Sequence, residues 1–149
     1  MNIAFFLLPK KDVVCLSPRS TMRQALERME FHRYTAVPII NESGNYQGTI
    51  TEADLLWKLK NTPSLTFANT RTDHLNELPW RMQNQPVRID AEIEDLMSLS
   101  VMQNFVPVVD DQDIFIGIIR RKDIIEYLAK NSKINRPILN QNRFSDFTI

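Results

Sequence analysis

The chain is poor in the residues on which several kinds of chemistry depend. Its 149 residues include one cysteine, Cys15, which excludes a disulfide within a single copy. Two histidines, His32 and His74, complete a thin inventory of metal ligands, so no metal site is expected and both rings are expected to be solvated or hydrogen-bonded. No nucleophile and base stand together in a recognisable pattern, and an enzyme is the least favoured class. Neither sign of charge is in excess, with 18 basic against 18 acidic residues. That balance removes the broad positive field of a general nucleic-acid binder or a basic membrane-surface protein, and any basic patch must be local. The apolar opening, Ile3 to Leu8, is far shorter than the roughly 20 residues a bilayer requires. It also lacks the basic start and small-residue cleavage site of a secretory signal, and is expected to be a short helix or strand buried in the fold. Cysteine usage fits a reducing, cytoplasmic setting.

Glycine is scarcer than in most domains, with only Gly44, Gly48 and Gly117, and two of the three occupy equivalent places in a repeat. Val37-Pro38-Ile39-Ile40, Gly48, Ile50, Asp54 and Leu59 return 69 residues later as Val106-Pro107-Val108-Val109, Gly117, Ile119, Asp123 and Leu128. Two copies of one supersecondary unit follow from this. A unit of that size buries its own apolar faces poorly, so the copies are expected to pack together, with a ligand-sized seam between them.

Each copy reads strand, helix, strand, turn, strand, helix. In the first, Val13-Val14-Cys15-Leu16 predicts a short strand that buries Cys15, and Thr21 with Gln24 predicts a capping box. Met22, Ala25, Leu26 and Met29 have helical spacing, Tyr34–Ile40 and Tyr46–Ile50 predict a hairpin, and a second helix is expected from about Thr51. In the second, a strand is predicted at Val87-Arg88-Ile89, a helix through Ile93, Leu96, Met97 and Val101, strands at Asn104–Val109 and Ile114–Ile119, and a closing helix with Ile124, Ile125 and Leu128. Matching Leu16 to Ile89 gives an offset of 73, so the second copy's first arm is shorter, through a trimmed helix or a tightened approach. Asp110-Asp111-Gln112-Asp113 lacks the glycine and distal glutamate of a calcium loop and predicts a hairpin turn. Trp57 and Trp80 are expected as core or interface anchors. The resulting division is 1–60 for the first repeat, 61–85 for a connecting segment with a short helix near Leu75 to Met82, 86–130 for the second repeat and 131–149 for a tail. The tail frays or covers a partner; its composition suits both.

The two strand-to-helix junctions carry the candidate chemistry. At Thr51-Glu52-Ala53-Asp54 the hydroxyl and the carboxylate three residues on suit a helix cap, and equally a phosphate and a ribose. At Arg120-Arg121-Lys122-Asp123 arginine replaces the threonine, although its charge opposes the positive end of a helix. Three cations beside free backbone N–H groups make a phosphate site; a solvated charge run is the competing reading.

The residue order, the Val-Pro pairs of the middle strands and the Gly48–Asp54 junction resemble the CBS domain, and two in tandem resemble a CBS pair over residues 10–130. The resemblance implies an α+β fold of two β-α-β-β-α repeats packed as a pseudo-two-fold pair, which associates further as a homodimer, most like the stand-alone bacterial form. It implies a regulatory module that takes AMP, ATP or cyclic di-AMP between the repeats, or else an interaction scaffold with no small-molecule ligand. Three cations favour a ligand with two or more phosphates and disfavour the positively charged S-adenosylmethionine. No further cofactor is expected, and the regulated partner protein is unnamed. By the same resemblance the second pocket would use Val87, Arg88, Phe105, Val106, Pro107, Arg120, Arg121, Lys122 and Asp123. The first would use Val14, Cys15, Tyr34, Thr35, Ala36, Val37, Thr51 and Asp54.

Overall fold

The computed structural model describes residues 2–132, so the tail expected at 131–149 lies, from 133 onward, outside the described residues. The chain divides into two compact units, Val14–Gln83 and Met1–Val13 with Asn84–Ile149. The elements, in chain order, are β1 (Leu8–Pro9), α1 (Met22–His32), β2 (Ala36–Ile40), β3 (Tyr46–Thr51), α2 (Glu52–Asn61), β4 (Val87–Arg88), α3 (Ile93–Ser100), β5 (Phe105–Val109), β6 (Phe115–Arg120) and α4 (Arg121–Asn131).

The Val14–Gln83 unit is built around the β2–β3 hairpin. Both strands are needed because alternate residues of each feed one core, where Val37, Ile39 and Ile50 meet Met22, Ala25 and Met29 of α1 and Leu55 of α2. Helix α1 opens as expected: the Thr21 hydroxyl accepts from the Gln24 backbone N–H, and the Gln24 side chain accepts from Thr21 N–H. The predicted strand at Val13–Leu16 does not form. Only Leu16 pairs, in parallel with Ile39, because Pro18 and the turn around it end the extended run at once. Cys15 is half-buried beside that single bridge rather than enclosed on a strand.

In the other unit the sheet order is β1-β6-β5-β4, with β4 parallel to β5 and the remaining pairs antiparallel. Its core gathers Val106, Val108 and Ile119 of the hairpin, Ile93 and Leu96 of α3, Ile124 of α4, and Ile3 from the start of the chain. The hairpins of both units turn in the same way. Asn41 accepts the Asn45 N–H and Asp110 accepts the Ile114 N–H through their side-chain oxygens, and the left-handed position is Gly44 in one and Asp113 in the other. The acidic run at Asp110 is therefore the hairpin turn the sequence predicts.

Register corrects the offset between the copies. Leu16 pairs with Ile39 and Val87 pairs with Val108, so Leu16 corresponds to Val87 and the first legs lie 71 residues apart. The helices also begin 71 residues apart, at Met22 and Ile93, whereas the following strands, from Ala36 and Phe105, are 69 apart. The lost residues lie between helix start and strand: α1 has 11 residues and α3 has 8, so the helix is trimmed and its approach is not.

Each unit is completed by a segment that precedes a repeat in sequence. Residues 2–9 belong to the unit of the second repeat, where a one-turn 3-10 helix at Ile3–Phe6 buries Ile3 and β1 then pairs with β6. Residues up to Gln83 belong to the unit of the first, where a 3-10 turn at Leu75–Glu77 buries Leu75 and Met82 then bridges to Thr49 of β3. The helix expected over Leu75 to Met82 is thus a single turn, cut off before Pro79. The approach of these arms explains the two matched glycines. A Cβ on Gly117 would strike the Leu8 carbonyl and Leu7 Cδ1, and one on Gly48 would sit 2.8 Å from Cε3 of Trp80.

Candidate functional site

The two strand-to-helix junctions are built differently. At the β3–α2 junction, Thr51 caps the helix: its hydroxyl accepts from Asp54 N–H at 3.2 Å, and Asp54 Oδ2 accepts from Thr51 N–H at 3.0 Å. The second carboxylate oxygen of Asp54 faces the Arg81 N–H at 3.5 Å, on the arm that also lays Trp80 against Gly48. Trp80 is held there by its indole N–H, which donates to the Leu75 carbonyl at 2.8 Å. Asp54 is consequently only 5% exposed, with both oxygens turned to backbone N–H groups of its own unit. Trp80 packs against the core cluster, as an anchor should, while Trp57 remains 39% exposed with the Lys60 ammonium 5.7 Å over its ring.

The β6–α4 junction has no hydroxyl cap. Arg120 occupies the cap position, and its guanidinium grips Asp123 bidentately, Nε to Oδ2 at 2.8 Å and Nη2 to Oδ1 at 3.3 Å. The side chains are 25% and 20% exposed. An arginine here therefore does have a local role: it neutralises the carboxylate in the first turn, where the threonine of the other copy exchanges backbone hydrogen bonds. Arg121 is tied back by Nε to the Gln103 carbonyl at 2.8 Å, and its backbone N–H donates to Asn104 at 3.0 Å. Gln103, itself buried, exchanges amide hydrogen bonds with Gln85, so the cation rests on a fixed support. Lys122, half-buried, is the one of the three cations that makes no ion pair or side-chain hydrogen bond with the described residues.

Beside this junction lies a recess of about 330 Å³, lined by Phe5, Phe6, Leu7 and Leu8 on one side and by Arg120, Asp123, Glu126, Tyr127 and Lys130 of α4 on the other. The α4 residues recur every three or four positions and so share a helix face. Phe6 meets Tyr127 edge to face, with ring centres 5.1 Å apart. The recess is thus lined by apolar, aromatic and charged side chains together, a combination suited to a planar ligand bearing an anion.

The remaining candidates are dispersed. Arg88 turns to the β5–β6 hairpin, donating to the Asp111 carbonyl at 3.2 Å and lying 3.7 Å from the Asp113 carboxylate. Val37 and Val106 are enclosed in the cores of their own units, and Ala36, Phe105 and Pro107 are buried. Val87 and Val14 pack partly buried against those cores. Tyr34 stacks on His32 at 5.3 Å, and the Thr35 carbonyl accepts the first N–H of α2. The Cys15 carbonyl accepts from Arg28. His74 hydrogen-bonds the Arg19 carbonyl at 2.8 Å, one of the two states expected for the histidine rings. Among the described residues no three His, Cys, Asp or Glu side chains gather as a metal site, and no helix is long and apolar enough to cross a membrane.

Sequence reasoning placed the opening segment in a short buried helix or strand and Trp80 as an anchor, but it assigned neither Phe5–Leu8 nor Trp80, Arg81, Glu126, Tyr127 and Lys130 to the junctions they border. The available signal was the spacing of Ile3 with Phe6 and of Leu75 with Leu78, which predicts short elements but not which repeat each one completes.

Comparison with known proteins identifies the fold and the family. An uncharacterised protein of Methanopyrus kandleri is 29% identical over 125 residues, which is 78% of this chain and 58% of that protein, so the chain spans under two thirds of the curated relative it matches. Among solved structures, CbpB in complex with c-di-AMP superposes with a TM-score of 0.74 at 24% identity, covering 87% of this chain and 85% of that one. CBSX2 of Arabidopsis thaliana in complex with AMP gives 0.67 at 21% identity, covering 87% and 97%. At these identities the two structures establish a common fold. The CBS domain itself matches twice, over residues 7–61 and 76–130, and the chain belongs to the CBS domain family with two copies in tandem.

Proposed function

We propose that this chain is a regulatory module that binds an adenine nucleotide and catalyses no reaction, with the phosphates received at the β6–α4 junction. The observation that carries the reading is the run Arg120-Arg121-Lys122 at the start of α4, beside an open recess with an apolar wall. At a helix start, backbone N–H groups and cations act on the same anion. The c-di-AMP and AMP complexes of proteins sharing the fold support the ligand class. Local charge selects within that class: a ligand with two or more phosphates, ATP or cyclic di-AMP, fits better than AMP, and S-adenosylmethionine fits poorly. Asp123 is the acceptor for a ribose hydroxyl. The first junction, where Asp54 is already satisfied by Thr51 and Arg81, contributes less to binding. Ligand binding regulates only through a difference in affinity between two arrangements of the protein. The reading includes a homodimer in the cytoplasm that acts on another protein.

Calorimetric titration with AMP, ATP, cyclic di-AMP and S-adenosylmethionine at physiological salt tests it. Saturable binding of a polyphosphate or dinucleotide, with S-adenosylmethionine silent, is expected; silence from all four overturns it. A ligand-free interaction scaffold is the second reading, favoured by the exposed Met97, Val101, Met102 and Ile125 on α3, the residues following it and α4.

A further inference from the structure

We propose that the Arg120–Asp123 fork is a latch that makes the β6–α4 junction require two groups of its ligand at once, an anion to take over Arg120 and a hydroxyl donor to take over Asp123. The inference rests on the reading of this junction as a nucleotide site and adds the rule by which the site selects.

Both oxygens of Asp123 are engaged by Arg120, at 2.8 and 3.3 Å, and neither side chain is more than 25% exposed. An anion that captures Arg120 alone leaves the Asp123 carboxylate without its partner and beside a second negative charge. A nucleoside that captures Asp123 alone leaves the guanidinium unpaired near the positive end of α4. A ligand carrying both groups satisfies both residues and loses only the fork between them. The neighbouring cations do not replace Arg120 as partner to Asp123: Arg121 is held by the Gln103 carbonyl, and among the described residues Lys122 makes no ion pair with Asp123. Glu126, which lines the same recess one turn further along α4, adds negative charge and raises the cost of a bare anion. The first copy has no such device. Asp54 is bound by the N–H groups of Thr51 and Arg81, backbone donors that cannot swing away as a side chain can.

Titrations of wild type and Asp123→Asn with pyrophosphate and with ADP test the latch. In wild type, pyrophosphate should bind on the order of 100-fold more weakly than ADP; in Asp123→Asn, pyrophosphate should gain about tenfold and ADP should weaken. Should the variant fail to fold, the Nε–H resonance of Arg120 in wild type gives the second readout, moving with ADP and staying in place with pyrophosphate at equal concentration. Equal pyrophosphate affinity in wild type and variant, or an Arg120 signal that moves fully with pyrophosphate, overturns the latch. A pyrophosphate gain in Asp123→Asn with no ADP binding to either protein keeps the latch and overturns the nucleotide reading. No binding of any kind overturns both.

Discussion

The first copy and the second put the same acidic residue, Asp54 or Asp123, at the third position of a helix and then use it for different ends. In the first, the carboxylate is sealed: Thr51 and Arg81 N–H groups fill it and Trp80 lies across the adjacent glycine. In the second, a side chain that can move is the partner, and the ground next to it is an open recess. Backbone donors cost a helix end when they leave, whereas a side-chain ion pair opens by rotation about single bonds. The pair teaches that a repeated motif need not be built in the same way twice: one carboxylate is held by backbone N–H groups of its own unit, and the other by an arginine side chain.

The strongest way to break this comparison is to remove the arms that complete the units. Ile3 and Leu75 are both fully buried, one in each core. Ile3→Ala and Leu75→Ala should each lower stability by about 2–5 kcal/mol, the range for a large aliphatic residue lost from a packed site. Urea melts of the full chain measure this. A change under about 0.5 kcal/mol for Ile3→Ala would mean that the first residues do not close the second copy.

Next come the glycines, where the copies should differ. Gly117 meets the backbone of β1, which is fixed in a sheet, and Gly48 meets the edge of the Trp80 ring, which can shift. Gly117→Ala should therefore cost about 3 kcal/mol and Gly48→Ala about 1 kcal/mol, at the upper and lower ends of overpacking. Thermal unfolding of the two variants orders them, and the reverse order would contradict the account of the arms.

How much of this was legible beforehand follows from the range of the interactions. The repeat is a match within the sequence itself, and both hairpins, the turn at Asp110 and the capping box at Thr21 depend on residues near one another along the chain, so all of them are displayed directly. The arms are not local. Leu8 pairs with Ile118 and Met82 with Thr49, through one or two ladder positions that no propensity or period records. The strand expected at Val13–Leu16 failed for the same reason in reverse, since apolar residues promised a strand that Pro18 leaves no room to continue. Arg120 shows a subtler limit. Its charge at a helix start breaks a capping rule, but the compensation lies three residues away in Asp123, as an i,i+3 pair. Breaking the rule is thus explained locally, and a functional role has to rest on the recess and on the two neighbouring cations.

On the ligand side, the contrast is tested by removing two of the three cations of the β6–α4 junction. Arg120→Ala combined with Arg121→Ala should weaken binding of a nucleotide polyphosphate by roughly 10- to 100-fold, the loss expected for one or two charge-assisted hydrogen bonds. Because Arg121 also holds the Gln103 carbonyl, the single variant Arg120→Ala should be titrated alongside, and circular dichroism should confirm that both retain the fold. Affinity unchanged in the double variant would remove the phosphates from this junction.

The smallest effect should come from Asp54→Asn, and it discriminates most cleanly between the copies. The amide keeps one oxygen for Thr51 or Arg81 and turns an NH2 toward the other, so one backbone donor loses its acceptor. A loss of about 1 kcal/mol in stability is expected, comparable to a damaged helix cap, together with nucleotide affinity within about twofold of wild type. Asp123→Asn should do the opposite, changing affinity more than stability, because its partner is a flexible cation at the edge of a recess. If Asp54→Asn instead reduced nucleotide binding tenfold while leaving the melting curve in place, the sealed carboxylate would have to open for the ligand, and the two junctions would be equal sites after all.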